Sequence, residues 1–326
     1  MSGLILASLV LLTGMLGPDA ARAENPSPFI GYLRGQRPAL IAFNPSRYDP
    51  RTPPAGAYPA DELRADLTAL RPAFDGLVLY GFDATLTPGI LEQAASLGYR
   101  AVLLGIWDPK SEAETAGVAD LVRRYRDRLA LAVCVGNEGI NDDRYTIEDL
   151  GHARDNLRRL TGTGAAVPVT TSEPAGDYGW PPLRQLGDFL APNIHPAIDQ
   201  EALSPQAAVA WVRGRAMAIA EIAGKPVLVK ETGVPNGGGA PHSPERQRAF
   251  WGEWLAQGRP ARSGRPHSLI SFAAAFEAFD APWKATQLGN PMEAHWGLMT
   301  AERQPHPAFH AWAEAAGRRL PSSSQP

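Results

Sequence analysis

Two glutamates in this chain stand where a core could deliver them as reactive groups. Glu138 closes the stretch LAVCVGNE, Leu131 to Glu138, with the amide of Asn137 beside it. Glu231 closes PVLVKE, Pro226 to Glu231, and is followed by Thr232, Gly233, Val234 and Pro235. Short apolar runs of this kind read as buried parallel strands that reach the rim of a sheet and present polar groups there. Two carboxylates meeting in one cleft can divide a reaction between them. One keeps its proton as an acid, and the other stays ionised as a base or nucleophile.

The elements that must position them follow an alternating pattern. Strands are predicted at Pro38 to Phe43, Gly76 to Tyr80, Tyr99 to Trp107, Leu131 to Gly136, and Val167 to Ser172. Three more fall at Asp188 to Ile194, Pro226 to Lys230 and Leu269 to Ala275. Helical segments lie between them. Ala60 to Leu70 has helical spacing, Pro88 opens a helix that Gly98 closes, and Ser111 caps one running to about Arg128. Thr146 with Asp149 forms a capping box for a helix to about Leu160. A short helix is predicted at Pro182 to Leu186, and longer ones start at Ser204-Pro205, stopping at Gly224, and at Ser243-Pro244. A long loop, Glu277 to Thr300, precedes a last helix at Pro307 to Gly317. Eight strands, each followed by a helical segment, define a single (β/α)8 TIM barrel over residues 38–317. A doubly wound sheet is the alternative, weakened because no glycine-rich phosphate loop follows the first strand.

In such a barrel the chemistry sits where strands end. Those ends carry Asn44, Tyr80, Trp107, Asn137 with Glu138, Glu173, His195, Glu231, and Phe276 with Glu277. Four glutamates and several aromatics ring one mouth. Acids to cleave and flat apolar faces to stack suit a sugar substrate. Glu138 and Glu231 end strands four and seven, while Glu173 and Glu277 end strands five and eight, so barrel spacing alone does not choose a pair. Asn137 favours the first pair, since its amide can bond a sugar hydroxyl and its neighbour. For Glu173 and Glu277 a structural ion pair or loop hydrogen bond is an equal reading. Trp107, Trp180, Trp283 and Trp296 fall in or beside loops and could stack on sugar rings. Trp211, Trp251, Trp254 and Trp312 lie in predicted helices, where packing is their default.

Composition bounds the rest. The chain has 326 residues, 44% hydrophobic, with a net charge of −3, which gives no sign of a nucleic-acid partner. Cys134 is the sole cysteine, so no internal disulfide forms, and inside a strand it reads as a small hydrophobe. His306 and His310 are spaced as zinc ligands can be, yet no third ligand accompanies them, so neither a metal nor a cofactor is expected. Residues 1–23 read as a signal peptide, with an apolar run at Leu4 to Leu16 and cleavage after about Ala23. This predicts export to the periplasm or medium. Residues 24–37 read as a linker or N-terminal arm, and 318–326 as a disordered tail.

A resemblance sharpens the reading. VGNE at 135–138, ETGVP at 231–235, FEAFDAPWK at 276–284 and EAHWGL at 293–298 resemble glycoside hydrolase family 17, supported by LGIW at 104–107 and PVTTSEP at 168–174. The likeness runs from about Pro38 to His310. It implies a retaining enzyme on a (β/α)8 barrel that acts on a β-glucan, most often β-1,3-linked, as glucanase or glucanosyltransferase. By position it implies Glu138 as acid/base, Glu231 as nucleophile, and Asn137 on the sugar at the cleavage point. Tyr80 and Lys284 match positions lining the cleft. The sequence departs from the family pattern at Val78 (usually Arg), Ala197 (an aromatic), Val234 (Trp) and Ala281 (Glu). Those changes surround the catalytic pair without removing it. They leave a glycan-binding protein on the same barrel as a further alternative.

Overall fold

The computed structural model describes residues 27–35, 37–53, 56–162, 166–257 and 270–317. The predicted signal peptide and the tail after Gly317 lie outside the described residues. Six parallel strands form one curled sheet: β1 (Leu40–Ala42), β2 (Gly76–Val78), β3 (Ala101–Ile106), β4 (Ala130–Asn137) and β5 (Val169–Ser172) in sequence, with β8 (Ala274–Ala275) beside β1. A second pair joins β6 (Val227–Leu228) to β7 (Ile270–Ser271), also in parallel.

Two segments join these sheets into a barrel. The predicted sixth strand is extended chain that meets its neighbours only through isolated bridges. Leu190 bridges to Val227, and Asn193 to both Pro174 and Glu231. Pro192 lies in this stretch and has no N–H to donate, so the ladder is broken there. Its carbonyl still accepts from the Lys230 amide at 3.0 Å. The predicted eighth strand divides its pairing. Ile270–Ser271 pairs with β6, and Ala274–Ala275 pairs with β1. Its expected first residue, Leu269, lies outside the described residues.

The helices form where the caps predict them. Ser111, Ser204 and Ser243 each accept a first-turn amide, and Thr146 and Asp149 cap each other reciprocally. Gly224 ends the helix Pro205–Ala223 in the left-handed conformation. Trp251, Trp254 and Trp312 are buried, as helix-borne tryptophans should be. The expected loop 277–300 instead holds a helix at Pro282–Leu288 and a 3-10 turn at Pro291–Ala294. Both are too short for a periodic pattern to show. Among the described residues no helix is long and apolar enough to cross a membrane.

The N-terminal arm has more structure than its composition suggests. Pro28–Arg34 is a helix, started by Ser27 and by Pro28 at its first turn. Phe29, Tyr32 and Leu33 are buried in one cluster with the inner strand residues Leu40, Val78, Leu103, Ala132 and Leu228. The helix therefore plugs the barrel at the end opposite the strand tips. The Tyr32 hydroxyl donates to Asp75 at 2.7 Å and accepts from the Ala39 amide at 2.9 Å. Gly76 leaves it room, since a Cβ there would sit 2.8 Å from that hydroxyl. Truncating a fully buried Phe costs about 3–5 kcal/mol when the site cannot collapse. Phe29→Ala should lose stability of that order in urea unfolding; a loss under about 1 kcal/mol would show that the helix does not plug the core.

Candidate active site

Successive residues of a strand normally face opposite ways, so Asn137 and Glu138 should not share a cleft. The end of β4 removes that obstacle. Its register against β5 shifts between Cys134 and Asn137, and Gly136 and Glu138 take φ of 76° and 50°. A left-handed glutamate is strained, and such strain persists only where surroundings enforce it. Here the Glu138 amide donates to Ser172 at 2.8 Å. The result is that both side chains reach Asn193. Its Nδ2 donates to Glu138 Oε1 at 2.9 Å and to Asn137 Oδ1 at 3.2 Å. Ser172 donates to Asn193 Oδ1 at 2.9 Å, which fixes which way that amide turns.

Glu231 arrives from the other side, just beyond β6. Its Oε1 accepts from the Lys230 ammonium at 2.8 Å, and its Oε2 lies 3.1 Å from His195 Nε2. One side-chain oxygen or nitrogen from each of Glu138, His195 and Glu231 lies within 4.8 Å of the other two. The ends of β4 and β6, predicted as the fourth and seventh strands, therefore do converge. A metal could be imagined among such ligands, but the ammonium against Glu231 opposes a second positive charge there.

The two carboxyls are shifted in opposite directions. Burial, then the charge of Glu231, pushes Glu138 above the usual carboxylate range. Burial would push Glu231 up as well, yet the Lys230 charge and the His195 hydrogen bond overcome it and hold it well below that range. For His195, burial works against the imidazolium, but Glu231 and Glu138 more than offset it and raise its pKa. Tyr80 is half-buried, with its hydroxyl enclosed, beneath Lys230, whose ammonium sits 4.3 Å above its ring. Burial, then the carboxylates of Glu231 and Glu277, keeps its phenol protonated.

The other two glutamates have their own partners. Both oxygens of Glu277 accept from Lys284, at 2.7 and 2.6 Å. Glu173 Oε1 accepts from the Tyr145 hydroxyl at 2.9 Å, and that hydroxyl takes the Gly139 amide at 2.9 Å. Glu173 thus braces the loop that follows Glu138. His195 is wedged between Phe276 and Trp296, with ring centroids 5.3 and 5.2 Å away. Trp296, expected to line the cleft, is only 1% exposed and backs His195 from behind. Its indole N–H is taken by Glu293. Trp107 is the open platform, 45% exposed, with the Arg144 guanidinium 4.5 Å over its ring. Arg144 also donates to the Asn137 carbonyl. Trp283 is half-buried beside Lys284, and Asn44 is half-buried just past β1. His306, considered as a zinc ligand, instead bonds Asp280 at 2.7 Å. Burial pushes the Cys134 thiol up to about 12, in keeping with an inert hydrophobe.

Four contributors escaped sequence reasoning: Lys230, Asn193, Tyr145 and Arg144. Lys230 had a visible signal, a charge inside an otherwise apolar strand that must find a partner when buried. Asn193 sits on the irregular sixth segment, where no strand pattern marks an inward face. Of the four departures, Val78, Ala197 and Val234 are buried and Ala281 caps the helix Pro282–Leu288.

Comparison with known proteins gives the chain a family. Residues 42–297 match the BtgE/BtgC glycoside hydrolase domain, and the chain belongs to that family. The btgC protein of Aspergillus niger, described by its name as a glucan endo-1,3-β-glucosidase, is 25% identical over 283 residues, 77% of this chain. The chain spans only 40% of that relative's length. Among solved structures, an active-site mutant of a Rhizomucor miehei β-1,3-glucanosyltransferase in complex with laminaritriose superposes with a TM-score of 0.65 at 20% identity, covering 83% of this chain and 96% of that one. An endo-laminarinase from Formosa gives 0.63 at 18% identity, over 81% of this chain and 83% of its own. Both share the barrel fold.

Burial lifts the Glu173 carboxyl from 4.5 to about 7. The folded state then binds this proton more tightly than the unfolded chain does. Its contribution to stability is full below about pH 4.5 and is lost as pH rises towards 7. Glu173→Gln keeps the acceptor for Tyr145 and removes that dependence. Unfolding measured across this window should show the variant gaining on the native chain as pH rises; parallel curves would contradict the assignment.

Proposed function

We propose that the chain is a retaining β-glycosidase acting on a β-glucan, with β-1,3 linkages the best fit. The observation that carries this reading is a pair of glutamates whose oxygens approach within 4.8 Å and whose surroundings shift them in opposite directions, Glu138 up and Glu231 down. Retention calls for carboxyls about 5–5.5 Å apart, too close for a water between them. Ionised Glu231 attacks the anomeric carbon. The bond to the leaving oxygen breaks as Glu138 passes its proton to it. Asn193 occupies Glu138 Oε1, which leaves Oε2 to carry that proton. The product of this step is a glycosyl ester on Glu231.

Esterification removes the negative charge on Glu231. Glu138, now ionised, loses the neighbour that opposed its charge, and it serves as base for the incoming acceptor. Asn137 presents its Nδ2 to a sugar hydroxyl, because its Oδ1 is taken by Lys230 and Asn193. Beyond Glu231, Phe276 packs on His195 and against Lys284, which binds Glu277 and stands beside Trp283. The apolar run at 4–16 and the Ala21-Arg22-Ala23 site support export.

A second reading is transfer to a sugar acceptor. It is favoured by Trp107, whose exposed face lies next to the Asn137–Glu138 end of the cleft through Arg144. A sugar stacked there would stand on the leaving-group side, where an acceptor enters. Incubation with a β-1,3-linked glucose oligosaccharide, followed by mass, separates the two: longer products mean transfer, and only shorter ones mean hydrolysis. Glu138→Gln should lower kcat/KM, which reports the first step alone, by roughly 10²–10⁴-fold on that oligosaccharide, and by much less on an aryl glucoside whose leaving group needs no proton. Equal losses on both substrates would remove Glu138 from the acid role.

A further inference from the structure

Lys230 is 1% exposed, at the top of a strand whose other side chains are apolar. A buried ammonium persists only when its donors are satisfied. It has three N–H bonds, and the site absorbs all three. One goes to Glu231 Oε1 at 2.8 Å and one to Asn137 Oδ1 at 2.6 Å. The third is left to the face of Tyr80, whose ring centroid is 4.3 Å from Nζ. Neighbours within the site thus account for all three donors, so Lys230 acts on a bound sugar through them.

We propose that Lys230 is a positioning residue for the glycosidase reaction, holding the Glu231 carboxylate for attack and turning the Asn137 amide towards the bound sugar. This rests on the double-displacement reading above and assigns it a control point. Asn137 could turn either end outward, because oxygen and nitrogen have the same shape. An ammonium cannot accept a hydrogen bond, so it admits only the oxygen. The same ammonium stands against Glu231, so one buried charge fixes the orientation of one end of the site and the attacking group of the other. Asn137 and Glu231 are 94 positions apart in the chain, and Lys230 bonds both.

The charge acts within a crowded set. Glu231 is faced by Lys230 and His195 and, more distantly, by Glu138, Tyr80, Cys134 and Glu277, the last paired with Lys284. Removing the ammonium leaves His195 as the sole cation touching the carboxylate. The acidic limb of kcat/KM reports ionisation of the attacking group in the free enzyme. Without the Lys230 charge that carboxylate takes up a proton at higher pH, so the limb must move upward.

The test is the pH profile of kcat/KM on an aryl β-glucoside for the native chain, Lys230→Met, Lys230→Gln and Glu231→Gln, each checked for folding by thermal unfolding. Lys230→Met should lose roughly 10²–10³-fold in kcat, as for loss of a preorganised electrostatic partner. Its acidic limb should move up by about one pH unit or more. Lys230→Gln keeps a donor for Asn137 without the charge. It should recover part of kcat while the limb stays displaced. If Lys230→Met does not fold, the displaced limb is read on Lys230→Gln. A folded Lys230 variant with the native acidic limb, while Glu231→Gln is silent, overturns the role of Lys230 and leaves the double displacement standing. Turnover by Glu231→Gln at the native rate overturns the double displacement itself.

Discussion

Two carboxyl groups with oxygens within 4.8 Å of each other, one buried and one half-buried, oppose each other's ionisation. The site resolves that conflict by dividing its partners unequally. Glu231 receives the cations, an ammonium on one oxygen and an imidazole on the other. Glu138 receives a neutral amide on one oxygen. The surroundings therefore favour the proton on Glu138 and the charge on Glu231 before any substrate arrives. Every other feature of the cleft can be read as support for that asymmetry. The Asn193 amide is held by Ser172, the His195 ring by Phe276 and Trp296, and the loop after Glu138 by Tyr145 and Glu173.

The scaffold places these groups through its irregular parts. A regular strand end would turn Asn137 and Glu138 to opposite faces, so the shifted register and left-handed glutamate of β4 are what make them neighbours. The sixth segment, broken at Pro192, brings Asn193 and His195 to the rim although it forms no continuous ladder. Beneath, small residues such as Ala101, Ala132 and Ala274 line the interior, and the N-terminal helix fills the far end. A barrel closed below and lined with apolar atoms keeps the dielectric low around Lys230, which strengthens its hold on Glu231.

Much of this was legible in the sequence, for reasons that can be named. Buried strands that end in a carboxylate announce the rim, and the caps Ser111, Thr146, Ser204 and Ser243 announce the helices between. The convergence of Glu138 and Glu231 followed from counting strands around a closed sheet. What stayed hidden depends on tertiary context. Trp296 looks like an open platform in a loop, yet that loop folds inward and the ring packs behind His195. Residues 28–34 have the Pro and Gly content of a linker, but the barrel floor gives Phe29 and Tyr32 something to bury against. Lys230 carries no pattern beyond being out of place in its strand, and its meaning appears only with Asn137 and Tyr80 in view. The pair Glu138 and Glu231 was chosen in the sequence by Asn137 and by the family resemblance, and the coordinates add that Glu277 and Glu173 are closed by Lys284 and Tyr145.

The central claim is that Glu231 becomes covalently attached to sugar during turnover. A glucoside with fluorine at C2 and a good leaving group slows both steps but the second more, so the ester accumulates. Mass analysis of the peptides after such treatment tests the claim directly. The account predicts one fluoroglucosyl group on the peptide containing Glu231, with loss of activity in step. Active protein that turns over without any adduct, or an adduct on Glu138, Glu173 or Glu277, would contradict it.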